Sequence, residues 1–425
     1  MAYIRKTLNN GVKVVFSPMQ NTNTITIIVL VGAGSNCEPE RINGISHFLE
    51  HLLFKGTRHR PKAGDVHRAL DRLGAGHNAF TSKEMTGFWV KSADRYFDES
   101  LDIFSDILLE PLFKKDELEK EKGVIIQEIS MYEDLPHRKV LELWDEMLYP
   151  NQPAGRSIAG TKEIINSITR KDIVDYKKKH YTAANMVVAV AGNIDEASFF
   201  KKIEKVFKRI PRGGIAKRMP TVEKQKSPLV KIADKKTDQT HLVLGARSFD
   251  MFDERRYALG ILAALLGGNT SSRLFSEIRE KLGLAYYINV SSEHFTDAGY
   301  LLTRAGIPNH SLKTVSKKIV KIMGDFRKKR ISPKELKFEK DYLRGSMALA
   351  MESSDEIALF YGEQELFYKK IMELEDIWKK FERVTEKNIL DISRYLFKPE
   401  RMGLTVIGSL AQADDKNFQN ILKEV

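Results

Sequence analysis

The sequence has little of what marks secreted, membrane-spanning or fibrous proteins. It contains a single cysteine, Cys37, so no disulfide can form within the chain, and this favours a reducing compartment. Its longest apolar run, residues 25–33, is far too short to cross a bilayer. Its first residues lack the apolar stretch of a signal peptide. We therefore expect a cytoplasmic protein that does not bind membranes.

Long tracts of one charge are also missing. The net charge is +12, but the basic residues are scattered in pairs among acidic ones, without a long basic tract or an array of interleaved aromatic residues. This distribution disfavours nucleic-acid binding. Apolar residues make up 42% of the chain and charged residues 30%, which is typical of a globular enzyme rather than a disordered chain.

The length of the chain indicates two domains, because 425 residues are too many for one ordinary core. Residues 211–228 are rich in proline, glycine and lysine and lack apolar periodicity, so we interpret them as a linker. We predict an N-terminal domain over residues 1–210 and a C-terminal domain over residues 229–425.

The two halves share one pattern of elements. A helix that ends at Leu73-Gly74 in the first half has a counterpart that ends at Leu282-Gly283 in the second, and similar elements surround both. Consecutive strand-like runs are joined by short turns, which is typical of antiparallel pairing. The sequence therefore predicts an α+β fold of two duplicated domains, each a mainly antiparallel β-sheet packed with helices.

One short stretch of the first half is a candidate metal site. Residues 47–51 read His-Phe-Leu-Glu-His, and the surrounding apolar residues recur with helical spacing. His47, Glu50 and His51 fall on the side of this helix away from its apolar stripe. Imidazoles one turn apart can bind one Zn²⁺ together, and a carboxylate between them can deprotonate a metal-bound water. The alternative is an ordinary solvated helix face. The second half has no such pattern.

A later helix, predicted over residues 115–133, carries two further acids. Glu121 and Glu128 are seven residues apart, so they lie two turns apart on one flank, beside the apolar stripe. A carboxylate in that position is costly to bury unless it is paired or binds a metal. A pair of solvated acids explains the same spacing, and this helix alone leaves both interpretations open.

Across nearly its whole length the chain resembles the pitrilysin (M16) family of zinc metallopeptidases. The resemblance is to the branch that includes the β subunit of mitochondrial processing peptidase and its bacterial relatives. The residues that carry it read GISHFLEHLLFKGT from Gly44, Gly74 with NAFTS from Asn78 and Glu84, EKGVIIQEI from Glu121, LGG from Leu266, and REKLGLAY from Arg279.

The resemblance implies roles for named residues. His47, His51 and Glu128 would bind one zinc ion per chain, and Glu121 would support that site. Glu50 would be the general base that activates the zinc-bound water. The remaining implied residues are Arg279 and Tyr286 for the tetrahedral oxyanion, and Asn78 and Ala79 on an edge strand that binds the peptide substrate.

The resemblance also implies an activity. The two domains would form a clam-like peptidase chamber, and the chain would be a zinc-dependent endopeptidase or oligopeptidase acting on short or unfolded peptides. We expect a homodimer. The alternative is a catalytically inactive structural or partner subunit that keeps the fold, although the complete His-Glu-His set argues against it. The sequence does not indicate the physiological substrate.

Overall fold

The structure is a computed structural model that describes residues 3–410 and 414–425. Its β-strands, in chain order, are β1 Ile4–Thr7, β2 Lys13–Pro18, β3 Thr24–Val31, β4 Gly76–Thr81, β5 Thr86–Ala93, β6 Met186–Gly192, β7 Leu229–Asp234, β8 Thr240–Arg247, β9 Tyr287–His294, β10 Gly299–Ile307 and β11 Met402–Gly408. Its α-helices are α1 Ile45–Leu53, α2 Asp65–Asp71, α3 Phe97–Leu109, α4 Lys115–Asp134, α5 Pro136–Leu148, α6 Lys162–Ser167, α7 Arg170–His180, α8 Glu196–Phe207, α9 Arg256–Ala263, α10 Leu312–Lys328, α11 Pro333–Ala350, α12 Ser354–Phe367, α13 Leu374–Glu382, α14 Glu386–Leu396 and α15 Asp415–Lys423.

The chain folds into two compact units. The first contains the chain through Ser130, followed by Ser157–Met219 and Ala348–Leu374. The second contains Met131–Arg156, Pro220–Met347 and the chain from Glu375. Each unit therefore includes one segment from the other half of the sequence, which a division at residues 211–228 does not anticipate.

The first unit is built on a six-stranded sheet in the order β1-β2-β6-β3-β5-β4. Its neighbours pair antiparallel except β2 and β6, which are parallel. The central strands β3 and β6 are almost entirely buried because helices cover both faces of the sheet. A strand buried on both faces loses the alternation of apolar and polar residues, and this explains the continuous apolar run in β3.

The second unit repeats this topology. Its sheet has the order β7-β11-β8-β10-β9, which matches β2-β6-β3-β5-β4 strand for strand. The parallel pair recurs as well, because β7 and β11 are parallel and the other neighbours are antiparallel. The predicted α+β fold with two duplicated, mainly antiparallel sheets is confirmed.

The segments taken from the other half cover the second face of each sheet. In the first unit, α12 packs through Ile357, Ala358 and Tyr361 against apolar residues of β3 and β6. In the second unit, α5 packs through Val140 and Trp144 against β8 and β11. Without these helices the apolar outer face of each sheet would be exposed to water, so each sheet requires a helix that lies distant in sequence.

The predicted helix ends are similar in both units. Gly74 follows α2 with φ +61°, and Gly283 follows the corresponding turn with φ +64°. Both are in the left-handed region, where residues with a Cβ atom are strained, so glycine at these positions ends the helix in the same way twice. The second unit also contains wider π-helical turns, at Ala264–Gly268 and Phe275–Glu280.

Among the described residues, the helices are all too short or too polar to cross a membrane.

Candidate metal centre and active site

The helix α1 holds three of the candidate residues in fixed directions. Its apolar side is buried as predicted, with Phe48, Leu49 and Leu52 almost inaccessible to solvent. The helix begins after Gly44, which has φ +97°, and a Cβ atom there would lie 2.6 Å from the carbonyl oxygen of Ala159. Glycine is therefore required where the chain enters this helix.

A buried carboxylate binds the first turn of α1. Glu38 accepts hydrogen bonds from the backbone N–H groups of Gly44 and Ser46, at 2.7 and 2.8 Å, and from the side-chain amide of Asn43 at 2.9 Å. Burial raises the pKa of this carboxyl, and these donors oppose the rise. The N-terminal N–H groups of a helix lack partners within the helix and carry partial positive charge, so an acceptor here fixes the position of α1.

Three potential ligand atoms converge between α1 and α4. The Nε2 atoms of His47 and His51 each lie 3.6 Å from Oε2 of Glu128. The three residues form a group whose ligand atoms all lie within 4.8 Å of one another. The structure thus brings together all three residues that the sequence predicts as metal ligands.

The spacing of these atoms fits zinc. With metal–ligand bonds of about 2.0–2.1 Å and tetrahedral angles, two ligand atoms are about 3.3–3.4 Å apart. The separations of 3.6 Å lie close to that value, and all three side chains are partly accessible to solvent. Two nitrogens and one carboxylate oxygen are also a set of three protein ligands found in catalytic zinc sites.

Burial keeps one of these imidazoles neutral. Burial and the neighbouring His51 lower the pKa of His47 to about 4. The two rings lie with their centroids 4.6 Å apart, so a second positive charge would be unfavourable. A neutral imidazole offers the lone pair that a metal requires.

Glu121 contacts the side of His51 that faces away from Glu128. Its Oε2 lies 3.3 Å from Nδ1 of His51, and its Oε1 lies 2.8 Å from Nζ of Lys55. Burial alone would raise the pKa of Glu121, but the hydrogen bonds with His51 and Lys55 outweigh it and lower the pKa. A carboxylate on the outer nitrogen of an imidazole ligand fixes its tautomer and orientation.

Glu50 lies on α1 between the two histidines and is held by a strand. Thr81, the last residue of β4, donates its hydroxyl to Oε2 of Glu50 at 2.5 Å. Burial raises the pKa of Glu50, and the Thr81 hydroxyl partly opposes that rise. A carboxyl with a raised pKa is better suited to take up and release a proton near neutral pH.

The strand β4 lies at the edge of the first sheet, bonded to β5. Asn78 and Ala79 lie on it, and the Asn78 side chain accepts a hydrogen bond from the N–H of Ala79 at 2.9 Å. An edge strand has backbone groups directed away from the sheet that can pair with an added peptide strand. The structure places the two predicted substrate-binding residues at such an edge.

The two predicted oxyanion residues belong to the second unit. Arg279 lies in the π-helical turn Phe275–Glu280, and its guanidinium lies over the Phe275 ring at 4.8 Å. Tyr286 directly precedes β9, and its side chain is 75% exposed, so it is not a core residue of the strand. Their predicted roles stay predictions.

Comparison with protein-family models identifies the chain. A model described as Insulinase (Peptidase family M16) matches residues 13–162, and one described as Peptidase M16 inactive domain matches residues 167–343. Together they cover well over half of the sequence. The chain belongs to peptidase family M16. The first match includes His47, His51 and Glu128, and the second match contains none of these three residues.

Curated relatives of this M16 chain cover it almost completely. An uncharacterized zinc protease of Bacillus subtilis, YmxG, is 35% identical over 393 residues, which are 92% of this chain and 95% of the relative. Uncharacterized zinc proteases of Streptomyces coelicolor and Mycobacterium tuberculosis are 31% and 32% identical, covering 96% and 95% of this chain and 89% and 92% of theirs.

Solved structures share the M16 fold. A protease from Helicobacter pylori matches with a TM-score of 0.89 and 25% identity, over 96% of this chain and 99% of that one. A structure titled peptidase M16 inactive domain, from Pseudomonas fluorescens, matches with a TM-score of 0.89 and 20% identity, over 96% and 98% of the two chains. At that identity the second likeness shows the fold alone.

Sequence analysis of this M16 chain gave no role to three residues that position the site. Glu38 precedes α1 by several residues, Thr81 is the last residue of β4, and Lys55 follows α1. Glu38 had one usable signal, since an acid shortly before a helix often binds its first turn. Thr81 and Lys55 act through contacts between separate elements, which local patterns do not predict.

Proposed function

We propose that this chain is a zinc-dependent endopeptidase or oligopeptidase that hydrolyses short or unfolded peptides. The observation that carries the proposal is the convergence of His47, His51 and Glu128, with Glu50 on the same helix as both histidines. The names of the curated relatives as zinc proteases support the choice of metal and reaction.

The division of work among the residues follows from their contacts. His47, His51 and Glu128 would hold one zinc ion per chain, which when bound supplies a Lewis acid and lowers the pKa of a water towards about 7. Glu50 accepts a proton from the attacking water and then donates it to the leaving amine. Glu121 holds the His51 ring, since its carboxylate contacts the Nδ1 atom.

Peptide substrate would bind as an added strand on β4. Asn78 and Ala79 lie on this edge, and Thr81 at its end is bonded to Glu50, so a strand paired there lies next to the general base. Backbone hydrogen bonds would provide most of the recognition, and cleavage would therefore have broad sequence preference. Extended chains can pair in this way, whereas folded proteins cannot.

The remaining assignments rest on the family resemblance. Arg279 and Tyr286 would stabilise the oxyanion of the tetrahedral species through a guanidinium and a phenol. The chain would form a homodimer, and its single cysteine supports a cytoplasmic location. The alternative, an inactive partner subunit, draws support from the match of residues 167–343 to the M16 inactive domain. The complete set in the first unit argues against it.

The decisive experiment combines metal analysis with cleavage. Purified protein should contain about one zinc per chain and cleave a quenched, unstructured peptide, and chelation should abolish cleavage. The Glu50→Gln variant should keep its zinc and lose activity, because the amide cannot accept the proton. Glu40→Gln, an exposed acid nearby, is the matched control. Zinc without cleavage across a varied peptide set would favour the partner subunit, and absence of zinc would refute the ligand assignment.

A further inference from the structure

Two histidines outside the catalytic group, one on α2 and one on β4, lie in contact with each other. The Nδ1 atom of His67, on α2, lies 3.0 Å from the Nε2 atom of His77, on β4. Both side chains are half-buried, so the gap between them is reachable from solvent. Neither residue takes part in the proposed peptidase chemistry.

The surroundings fix the direction of both rings. The His67 ring stacks on Phe54 with centroids 5.8 Å apart and planes 12° from parallel. Nδ1 of His77 lies 3.4 Å from the carbonyl oxygen of Ala75, so a proton on Nδ1 is bonded there and the lone pair of Nε2 points at His67. An imidazole whose outer N–H donates to a backbone carbonyl is the usual arrangement of a histidine that binds a metal.

Among the charged groups near His67, Asp71 is the one that favours a bound cation. Burial, His77 and Lys55 lower the pKa of His67, while Asp71 raises it. Lys55 forms an ion pair with Glu121, which offsets its charge. Asp71 lies one turn after His67 on the same helix and is exposed, so its negative charge lies near the pair.

The separation of the two nitrogens also fits a metal ion. Two ligand atoms bound at about 2.0–2.1 Å are about 2.9 Å apart at a right angle and about 3.3 Å apart at a tetrahedral angle. The observed 3.0 Å lies between these values, so the two nitrogens already have a separation that one ion can bridge once the rings turn to direct both lone pairs at it.

We propose that His67 and His77 form a second metal site that takes imidazole-preferring divalent ions such as Zn²⁺, Cu²⁺ or Ni²⁺, with the negative charge of Asp71 offsetting that of the ion. On binding, the proton of His67 moves from Nδ1 to Nε2, and both facing nitrogens donate lone pairs to the ion. No redox change is involved. The bound ion joins α2 to the edge strand β4, next to Asn78.

The test uses Cu²⁺ added to the zinc-loaded protein. One equivalent should bind while elemental analysis shows that the catalytic zinc is retained, and electron paramagnetic resonance should show hyperfine coupling from two nitrogens. His67→Gln and His77→Gln should each weaken binding by about 100-fold or more, since loss of a ligand costs more than the 10–100-fold typical of an outer partner. Asp71→Asn should weaken binding but keep the two-nitrogen signal.

The matched control is His310→Gln, an exposed histidine in the second unit, which should bind Cu²⁺ like the wild type. Circular dichroism identifies any variant that fails to fold. If His77→Gln disturbs the sheet, copper binding by His67→Gln alone tests the proposal. Wild-type protein that binds no copper beyond the zinc site would overturn the proposal, leaving only a hydrogen-bonded pair. Unchanged copper binding in both glutamine variants would overturn it equally. Failure here leaves the peptidase proposal intact, because that depends on zinc at His47, His51 and Glu128.

Discussion

Replacing Thr81 by valine tests how the protein sets the proton affinity of Glu50. The Thr81 hydroxyl donates to Oε2 of Glu50 at 2.5 Å and favours the ionised carboxylate. Valine keeps the β-branched shape of threonine but removes this donor. Since burial already raises the pKa of Glu50, removal of the hydroxyl should raise it further.

The size of the effect follows from the bond. A hydrogen bond to a charged group contributes about 1.5–3 kcal/mol, and about 1.4 kcal/mol corresponds to one pH unit. Thr81 is half-buried, so water replaces part of the lost bond and the lower value applies. We expect the acid limb of the kcat/KM profile to move up by about one pH unit in Thr81→Val. Well below the midpoint, kcat/KM should fall about tenfold, with little change at high pH.

The assay is cleavage of a quenched peptide between pH 5 and pH 9, with zinc content measured for each variant. Thr81→Ser keeps the hydroxyl and should follow the wild-type profile. An acid limb that stays in place in Thr81→Val, with zinc and fold intact, would refute the role given to this hydrogen bond. A uniform loss at every pH would instead indicate that Thr81 positions substrate.

Three further predictions concern the surroundings of the site. Glu38→Gln should lower the free energy of unfolding by about 2–3 kcal/mol in a denaturant titration, because charge-assisted hydrogen bonds to α1 are lost. Exposed Glu352→Gln in the same unit should not. Glu121→Gln should weaken zinc binding about 10–100-fold in competition with a chromogenic chelator, and exposed Glu119→Gln should bind like the wild type. Burial lowers the pKa of His180 to about 4, below its value of about 6.5 in the unfolded chain. As the pH drops, the unfolded state therefore takes up this proton first, and the free energy of unfolding falls between about pH 6.5 and pH 4. Chelated wild-type protein should therefore lose about 2 kcal/mol more than His180→Phe between pH 7 and pH 4.5, and equal losses would contradict this.

The parts of the site that share one helix were predictable from sequence. The apolar stripe of α1 fixed the side on which His47, Glu50 and His51 lie, and burial of Phe48, Leu49 and Leu52 agrees with it. Glu128 was ambiguous by pattern alone, because an acid on a helix flank is usually solvated. Only the family resemblance selected it, and the structure then placed its carboxylate 3.6 Å from both imidazoles.

Features that depend on contacts between distant segments were not predictable. No pattern in the sequence indicates that α5 or α12 covers a sheet formed by the other half of the chain. The Glu38 carboxylate and the Thr81 hydroxyl reach α1 from a loop and from a strand. Such contacts depend on how the chain packs in space, about which periodicity along the sequence carries no information.

The position of α12 affects the order in which the protein can fold during synthesis. All strands of the first sheet have been made once β6 is complete at Gly192, but the helix that covers the outer face begins only at Ser354. At 5–20 residues per second, ribosomes need roughly 8–30 s to make the intervening chain. For that time the apolar side chains of Val15, Ile28 and Leu30 lack their cover. The nascent protein therefore exposes an apolar sheet face that chaperones can bind. Residues 1–210 synthesised alone should aggregate.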